Sequence, residues 1–223
     1  MKKYEFTGET LEHKGRILKR IKRLSDGLVG GWIEKESNLS HEGNCFIYGH
    51  AQVLGKAIVF GNAQVYGKAI VFGNAQVLGN AQVFGNAQVF GNAQVYEDSK
   101  IFGNAKVYNK AIIREGARVF GNAQVYDESK VSGNTEIYGN AKVFGNALVF
   151  GYSELTENME TSKKTKNIIG LRHNITASDD HIKIGCKVKT KKEWLEVTEE
   201  QALEMGLPEN TYEQYMNLIR GLQ

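Results

Sequence analysis

The side chains with the most obvious chemistry form a short group near the C-terminus. Asp179, Asp180, His181 and Cys186 are residue types that bind divalent metal ions in proteins. Their spacing matches no standard zinc motif, since those motifs need two pairs of Cys or His ligands. We therefore expect a structural role for this group, and we predict no metal site and no bound cofactor.

One histidine, His50, lies in the repetitive centre of the chain. Histidine is the most frequent general base, but it acts only when a partner orients it and a substrate lies within hydrogen-bond reach. The neighbouring sequence matches a phosphate-binding loop poorly, because the spacing from Gly49 to Lys56 is one residue too long and Ala57 replaces the required Ser or Thr. His50 is thus the weak candidate for a catalytic residue, and the sequence leans against an enzyme.

Arg114, Arg118 and Ser132 are the candidates for a ligand site. A guanidinium group pairs with phosphate and stacks on aromatic rings, so a nucleotide-like ligand is one interpretation. Acidic residues such as Glu97 and Glu115 lie close to them in the repeat, which favours a solvated polar corner over a binding site. Both interpretations stay open at this point.

These side chains are positioned by the repetitive stretch from Ile47 to Leu155. Every sixth residue there is Val, Ile or Leu, and the residue two places earlier is small. The commonest unit is Gly-Asn-Ala-Gln-Val-Phe, and a period this regular indicates a repeat architecture. Successive side chains of a strand point to opposite sides, so Ala and Val should face inward and Gln and Phe outward, because a buried Gln would lack partners. Gly-Asn should form the corner.

This pattern resembles the hexapeptide repeat of left-handed parallel β-helices, in which an aliphatic residue is followed four positions later by a small one. The Gly-Asn-Ala triplet and the aromatic residue after the valine resemble the YdcK-type β-solenoid proteins of bacteria and their phages. The segment from Gly30 to Ser40 is similar to the one that precedes such repeats in phage-encoded proteins. The resemblance implies a mainly β fold: a three-sided left-handed parallel β-helix of about six coils, with an N-terminal β cap and a C-terminal α/β cap.

The resemblance also supplies an enzymatic alternative. Many hexapeptide-repeat proteins are acyltransferases with a histidine base between subunits, and the zinc carbonic anhydrases of this fold need three histidines. The repeat stretch offers only His50, and no long loop interrupts the hexads to build an acceptor site. An acyltransferase-like site at a trimer interface is therefore kept as an alternative, because the fold by itself does not confer that function.

Residues one coil apart should stack into outward-facing columns. Stacked rings stabilise one another, but a continuous apolar patch is also typical of an interaction surface. We predict that the two unbroken columns are interaction surfaces, and that at least one is covered by another subunit or by the C-terminal segment. The first column consists of Tyr48, Tyr66, Phe84, Phe102, Phe120 and Tyr138, and the second of Leu54, Phe72, Phe90, Tyr108, Tyr126 and Phe144. A third column, from Phe60 to Phe150, is interrupted at Arg114 and Ser132.

The two ends of the repeat divide the chain into three segments: an N-terminal cap at 1–40, the solenoid at 41–155 and a C-terminal cap at 156–223. The basic run 14–23 fits either a helix or a strand. An edge strand at the end of a solenoid must be covered, which is the expected task of the first segment.

In the last segment we expect an exit loop at 157–166, followed by strands near 167–171 and 181–188. Thr190 and Glu193 form a capping box that predicts the start of a helix. Gly206 and Pro208 should end that helix. A second helix, with Tyr215 and the other apolar residues of one stripe, should pack on the solenoid. The alternative is that this stripe docks a partner or another subunit.

The net charge, the hydropathy pattern and the cysteine count exclude several classes of protein. The net charge is +3, from 28 basic and 25 acidic residues, which gives no strong nucleic-acid signal. No apolar run is long enough for a membrane span, and two widely separated cysteines favour a reducing cytoplasm.

The function expected from the sequence is that of a non-enzymatic scaffold, associated with a phage or mobile element, that engages a protein partner and possesses the surfaces for a homo-oligomer, trimer or dimer. Inhibition of a host defence factor fits that setting by resemblance. The alternatives are the acyltransferase-like enzyme and a sponge for a small nucleotide-like ligand.

Overall fold

The computed structural model describes residues 2–169 and 171–222. The chain begins with an antiparallel hairpin of β1 (Tyr4–His13) and β2 (Arg16–Arg23), followed by β3 (Val29–Ile33) and a short 3-10 helix, η1 (Glu36–Asn38). The basic run that fitted either a helix or a strand is therefore a strand. β3 pairs antiparallel with β2 on one side and parallel with β5 on the other, so it joins the hairpin to the solenoid.

The solenoid contains twenty short strands, each of two residues. They are β4 (Phe46–Ile47), β5 (Gln52–Val53), β6 (Ile58–Val59), β7 (Gln64–Val65), β8 (Ile70–Val71), β9 (Gln76–Val77), β10 (Gln82–Val83), β11 (Gln88–Val89), β12 (Gln94–Val95), β13 (Lys100–Ile101), β14 (Lys106–Val107), β15 (Ile112–Ile113), β16 (Arg118–Val119), β17 (Gln124–Val125), β18 (Lys130–Val131), β19 (Glu136–Ile137), β20 (Lys142–Val143), β21 (Leu148–Val149), β22 (Glu154–Leu155) and β23 (Glu160–Thr161).

Every third strand belongs to the same parallel sheet, which produces a prism with three faces. Face 1 has the order β4-β7-β10-β13-β16-β19-β22, and face 3 has the order β6-β9-β12-β15-β18-β21. Face 2 begins with the N-terminal hairpin and continues as β3-β5-β8-β11-β14-β17-β20-β23. The predicted mainly β, parallel, three-sided solenoid is confirmed.

The solenoid has about seven turns instead of the expected six. Ile33 and Leu39 already point inward before the regular series begins, with 0% and 1% of their surfaces exposed. At the other end, Thr161 occupies an inward position in β23 and is fully buried. The expected exit loop at 157–166 is wrong in its first part, because residues 160–161 continue the repeat geometry.

The inward residues explain why the short strands persist. The Ala and Val side chains of the repeat are buried in one continuous core, while the backbone groups of each strand pair with the turns above and below, as in Phe102 N–H to Val119 O at 2.9 Å. The corners need left-handed backbone, and Gly103 has φ 68° there. A side chain at Gly103 would also place a Cβ 2.9 Å from the nitrogen of Gly121 one turn away. Corner asparagines add amide ladders, such as Asn104 to Asn122 at 3.1 Å.

The C-terminal cap is a four-stranded antiparallel sheet followed by three helices. Its elements are β24 (Lys166–Ile168), β25 (Ile175–Ala177), β26 (His181–Ile184), β27 (Lys187–Thr190), α1 (Lys191–Leu195), α2 (Glu199–Glu204) and α3 (Tyr212–Arg220). The capping box at Thr190 begins α1 as predicted. The single helix expected up to Gly206 is divided in two, because Thr198 and Gln201 form a second capping box.

The apolar stripe of α3 packs differently from the prediction. Tyr215, Met216 and Ile219 belong to a separate core with Ile182 and Trp194 of the cap itself. The stripe therefore holds the cap together and does not pack on the solenoid. The division into segments 1–40, 41–155 and 156–223 stays a prediction.

Candidate binding surfaces

Each face of the solenoid carries two outward rows. One row is formed by the first residue of each strand, which is most often Gln or Lys, and the other by the residue that follows the strand. Both rows point away from the core because side chains alternate along a strand. The first column of rings lies on face 1, the second on face 2 and the interrupted third on face 3.

The rings of the first column form a regular parallel stack. From Tyr66 through Phe84, Phe102 and Phe120 to Tyr138, consecutive ring centroids are separated by 4.7, 4.8, 4.7 and 4.9 Å, and consecutive planes differ by 6° or less. All five rings are half-buried. Neighbouring rings cover one another's faces, so the column presents a row of ring edges to the outside.

The second column is stacked in the same way on face 2. Its rings are 4.7 to 5.5 Å apart, in the pairs Phe72–Phe90, Phe90–Tyr108, Tyr108–Tyr126 and Tyr126–Phe144. Leu54 at its N-terminal end is only 6% exposed, and the tip of the β1–β2 hairpin lines a cavity of about 140 Å³ with it and Phe72. The hairpin therefore covers one end of this column. The covering of a column by another subunit or by the C-terminal segment stays a prediction.

Charged residues lie beside the rings of the first column. The guanidinium carbon of Arg118 is 5.8 Å from the ring centre of Phe102 and 5.5 Å from that of Phe120. Arg118 is also paired with Glu136 one turn above it. Lys100, one turn below Arg118, is exposed and makes no ion pair with any described residue. Burial raises the pKa of Tyr66 above its usual value.

The candidate ligand residues do not form one cluster. Arg114 and Ser132 follow the adjacent strands β15 and β18 on face 3, whereas Arg118 lies on face 1. Arg114 is exposed and has its nearest opposite charge on Glu115, with Nε and Oε1 3.7 Å apart. The structure therefore places two of the three predicted ligand residues together and the third on another side of the prism.

His50 lies at an exposed corner after β4. Its backbone N–H donates to Gly67 O at 3.1 Å, but its ring makes no hydrogen bond or ion pair with residues 2–169 or 171–222. A general base needs an orienting partner, and none of the described residues supplies one to the His50 ring.

The group near the C-terminus has a structural arrangement. The carboxylate of Asp179 accepts hydrogen bonds from the Ser162 backbone N–H at 2.8 Å and from the Ser162 hydroxyl at 2.6 Å. Burial alone would raise the pKa of the Asp179 carboxyl, but these bonds and one from Thr161 lower it below the ordinary value. Cys186 is an exposed free thiol in the β26–β27 turn. Within the described residues, no three Asp, Glu, His or Cys side chains are close enough to hold a metal ion.

A groove that the sequence did not predict lies between face 1 and the C-terminal cap. Its volume is about 690 Å³, and its walls include Tyr138, Tyr152, Glu154, Arg172 and Lys183. Lys183 is almost buried and pairs with Glu154, which joins the cap to the solenoid. Arg172 is exposed and makes no ion pair within the described chain. The periodic pattern ends before this point, so only the folded position of the cap could reveal the groove.

Comparison with known proteins supports the repeat assignment. The family model described as YdcK Beta solenoid repeat matches residues 63–79 and 81–97, which are two consecutive stretches of the solenoid. The predicted resemblance to YdcK-type solenoids is therefore confirmed for these repeats. No curated protein matches the chain. None of the helices among the described residues is both long and apolar enough to cross a membrane.

Proposed function

We propose that this YdcK-type β-solenoid is a non-catalytic scaffold that binds a protein partner on face 1. The observation that carries the proposal is the first column, in which five half-buried rings are held parallel at 4.7 to 4.9 Å. Aromatic side chains are frequent anchors of protein interfaces. Rings that are already immobilised lose little conformational entropy when a partner contacts them.

The chemistry of face 1 indicates the kind of partner. Lys100 lies beside the rings of Phe84 and Phe102 without an opposite charge in the described chain, and Arg118 shares its charge with Glu136. A surface with an apolar centre and carboxylates near it would contact the ring edges and neutralise Lys100. We therefore expect a protein partner with apolar side chains flanked by acidic residues.

The test begins with native mass spectrometry of the protein isolated from the cells that encode it, which identifies a co-purifying partner. The partner is then produced separately, and its Kd is measured by titration calorimetry. Phe102→Asp should weaken binding by a factor of about 30 or more, as expected for an interface hot spot, and Lys100→Glu should weaken it about tenfold. Gln76→Asp on face 3 is the matched control and should leave the Kd unchanged. Equal binding by all three variants would contradict the proposal.

The groove favours a second candidate function, which is the binding of a small planar ligand. The inner face of the Tyr138 ring is stacked on Phe120, while the next residue of the column is Thr156, which has no ring. Tyr138 therefore ends the stack at a groove of about 690 Å³, within the usual range for small-molecule sites. An aromatic ring would extend the stack there, and Arg172 would pair with an anionic group on the ligand.

Adenosine monophosphate and adenosine are suitable probes for this second candidate. If it holds, the monophosphate binds more tightly than the nucleoside, Tyr138→Ala abolishes binding and Arg172→Ala removes the preference for phosphate. Tyr66→Ala, at the other end of the same stack of rings, serves as the control for a general effect on the stack. No binding of either probe at millimolar concentration would contradict it.

No observation at His50 favours the acyltransferase alternative, and we do not propose it. The association with a phage or mobile element and the inhibition of a host defence factor stay predictions from the resemblance.

A further inference from the structure

Among strands β4–β23 and the residues that follow them, the most exposed apolar side chains lie on face 3, which carries the interrupted column. Ile58 and Phe60 are 41% and 44% exposed, and Leu148 and Phe150 are 41% and 39% exposed. The rings of the first two columns are all less exposed than these. Stacking and the adjacent Gln and Lys rows cover the unbroken columns, so within the rows of β4–β23 the exposed apolar surface is on face 3. In the N-terminal hairpin and β3, Ile17 and Val29 are exposed as well, at 53% and 43%.

The two exposed pairs occupy equivalent positions at opposite ends of the sheet. Ile58 is the first residue of β6 and Phe60 directly follows that strand. In the same way, Leu148 is the first residue of β21 and Phe150 directly follows it. β6 and β21 are the two edge strands of the order β6-β9-β12-β15-β18-β21. At the usual strand spacing the pairs are about 24 Å apart and equally far from the centre of the face.

We propose that two copies of this chain associate face 3 to face 3, with their solenoid axes antiparallel. A two-fold axis in the interface, parallel to the strands and midway between β12 and β15, exchanges the two ends of the sheet. This axis places Phe60 of one copy against Phe150 of the other, and Ile58 against Leu148. Because the axis is two-fold, each of these contacts occurs twice in the interface. An isologous interface requires this kind of self-complementary surface.

The centre of the face is complementary under the same axis. Tyr96 follows β12 and Arg114 follows β15, so each Tyr96 ring faces Arg114 of the second copy. This is a favourable cation–π pairing, and it gives the interruption of the third column at Arg114 a role. Two rows of rings without Arg114 would lack this contact.

Charges at the ends of the face select the antiparallel arrangement. Lys164 and Lys166 lie beyond β21, with the Lys164 ammonium 5.1 Å from the Phe150 ring centre, whereas Glu42 lies beyond the other edge near Leu39. All three are exposed, and none makes an ion pair within the described chain. Antiparallel axes bring the lysines of one copy towards Glu42 of the other, whereas parallel axes would bring the lysines together.

Sedimentation equilibrium on the whole chain tests the association. The expected mass is about twice the 24.8 kDa of one chain. In the Phe60→Asp/Phe150→Asp variant the dimer Kd should rise by a factor of about 30 or more. Phe84→Asp on face 1 is the matched control, which should keep the dimer. A monomeric or trimeric wild type, or a dimer that survives the double substitution in a folded protein, would overturn the proposal.

Disulfide trapping tests the orientation with milder substitutions. In a Cys186→Ser background, Phe60→Cys combined with Phe150→Cys should give a covalent dimer under oxidation, while Phe60→Cys alone should not, because the two introduced thiols would be about 24 Å apart. Efficient trapping of the single variant, or none of the double variant, would exclude the antiparallel arrangement. Faces 1 and 2 stay accessible in this dimer, so loss of a partner on face 1 and loss of the dimer are separate outcomes.

Discussion

The ring of Tyr138 lies 4.9 Å from the ring of Phe120, with the two planes inclined by 6°. This contact is the last of a series from Tyr66 to Tyr138, in which Phe84, Phe102 and Phe120 each have both ring faces covered. The outward rings therefore also stabilise the contacts between successive turns. They add cohesion between turns whose core contains only one Val or Ile and one small residue per side.

The stack predicts a difference in stability between two phenylalanines of similar position. Phe102 contacts Phe84 at 4.8 Å and Phe120 at 4.7 Å, whereas Phe60 is 44% exposed and stacks on no described ring. Phe102→Ala should lower the free energy of unfolding by about 1–3 kcal/mol from the two lost ring pairs alone. Phe60→Ala should cost less than about 1 kcal/mol in the monomer, since surface substitutions have small effects.

Urea unfolding followed by circular dichroism measures both changes, at a protein concentration low enough to keep the chain monomeric. Equal shifts of the midpoint for the two variants would show that stacking adds nothing between turns.

The regular part of the fold could be predicted because one rule governs it. Val or Ile at every sixth position, with a small residue two places earlier, sets the inward series directly. The structure has more turns than the period predicts because Leu39 precedes Ile47 by eight residues instead of six, so Ile33 and Leu39 fall outside the period. At the other end, Met159 and Thr161 keep the period but replace the small and aliphatic residue types.

The surfaces were less predictable than the core. The sequence identified the columns but not their exposure, because the exposure of a ring depends on its neighbours in adjacent rows and on the hairpin over Leu54. The groove at Tyr138 depends on how β24–β27 lie against β22, through the pairing of Lys183 with Glu154. A pairing between residues so far apart leaves no periodic signal. The apolar stripe of α3 was recognised correctly, but periodicity does not tell which core it joins.

Glu115 is expected to be a site where glycine stabilises the protein. Its φ is 62°, in a corner column where Gly133 and Gly151 occupy the following turns with φ 75° and 74°. Left-handed backbone costs an ordinary residue about 1–2 kcal/mol, which glycine avoids. Glycine gives back about 0.5–1 kcal/mol of this gain, because it makes the unfolded chain more flexible. Glu115→Gly should therefore raise the stability by up to about 1 kcal/mol.

The melting temperature checks this expectation. Lys130→Gly is the matched control, since Lys130 is an exposed strand residue with no ion pair in the described chain, and this variant should melt at a lower temperature. A lower melting temperature for Glu115→Gly would contradict the prediction.

Asp179 should make the attachment of the cap sensitive to acid. Its carboxylate accepts hydrogen bonds from Ser162 and Thr161 next to the last solenoid strand, and its folded pKa is lowered below the ordinary value. A group with a lowered folded pKa stabilises the protein above its unfolded pKa of about 3.9, and this contribution disappears as the pH falls through the folded pKa. Asp179→Asn should therefore cost about 1–3 kcal/mol at pH 7, and this cost should shrink as the pH falls through the folded pKa.

Thermal unfolding of the wild type and the variant between pH 7 and pH 2 measures this difference. Asp180→Asn is the control, because the Asp180 side chain is exposed and only its backbone carbonyl accepts a bond, from Lys191 at 2.8 Å. A difference between wild type and Asp179→Asn that does not change with pH would show that the ionised carboxylate is not responsible.

Gly31 should be required for closure of the first turn. It has no left-handed φ, so its role is close approach: a Cβ there would lie 2.6 Å from both Ala51 O and Ile47 Cγ2. The Ala51 carbonyl cannot move without displacing the strand pair β3–β5, because Trp32 N–H donates to it at 2.9 Å, and Ile47 is packed in the buried core. Gly31→Ala should therefore destabilise the protein by about 1–3 kcal/mol, as overpacking of a core does, and should increase hydrogen exchange first in β1–β3. Gly116→Ala is the matched control, since a Cβ at Gly116 comes close only to the movable Asn134 side-chain oxygen, at 2.8 Å, while the nearest backbone atom, Gly133 O, is at an ordinary contact distance of 3.6 Å. If both variants melt together with the wild type, the hairpin does not depend on this contact.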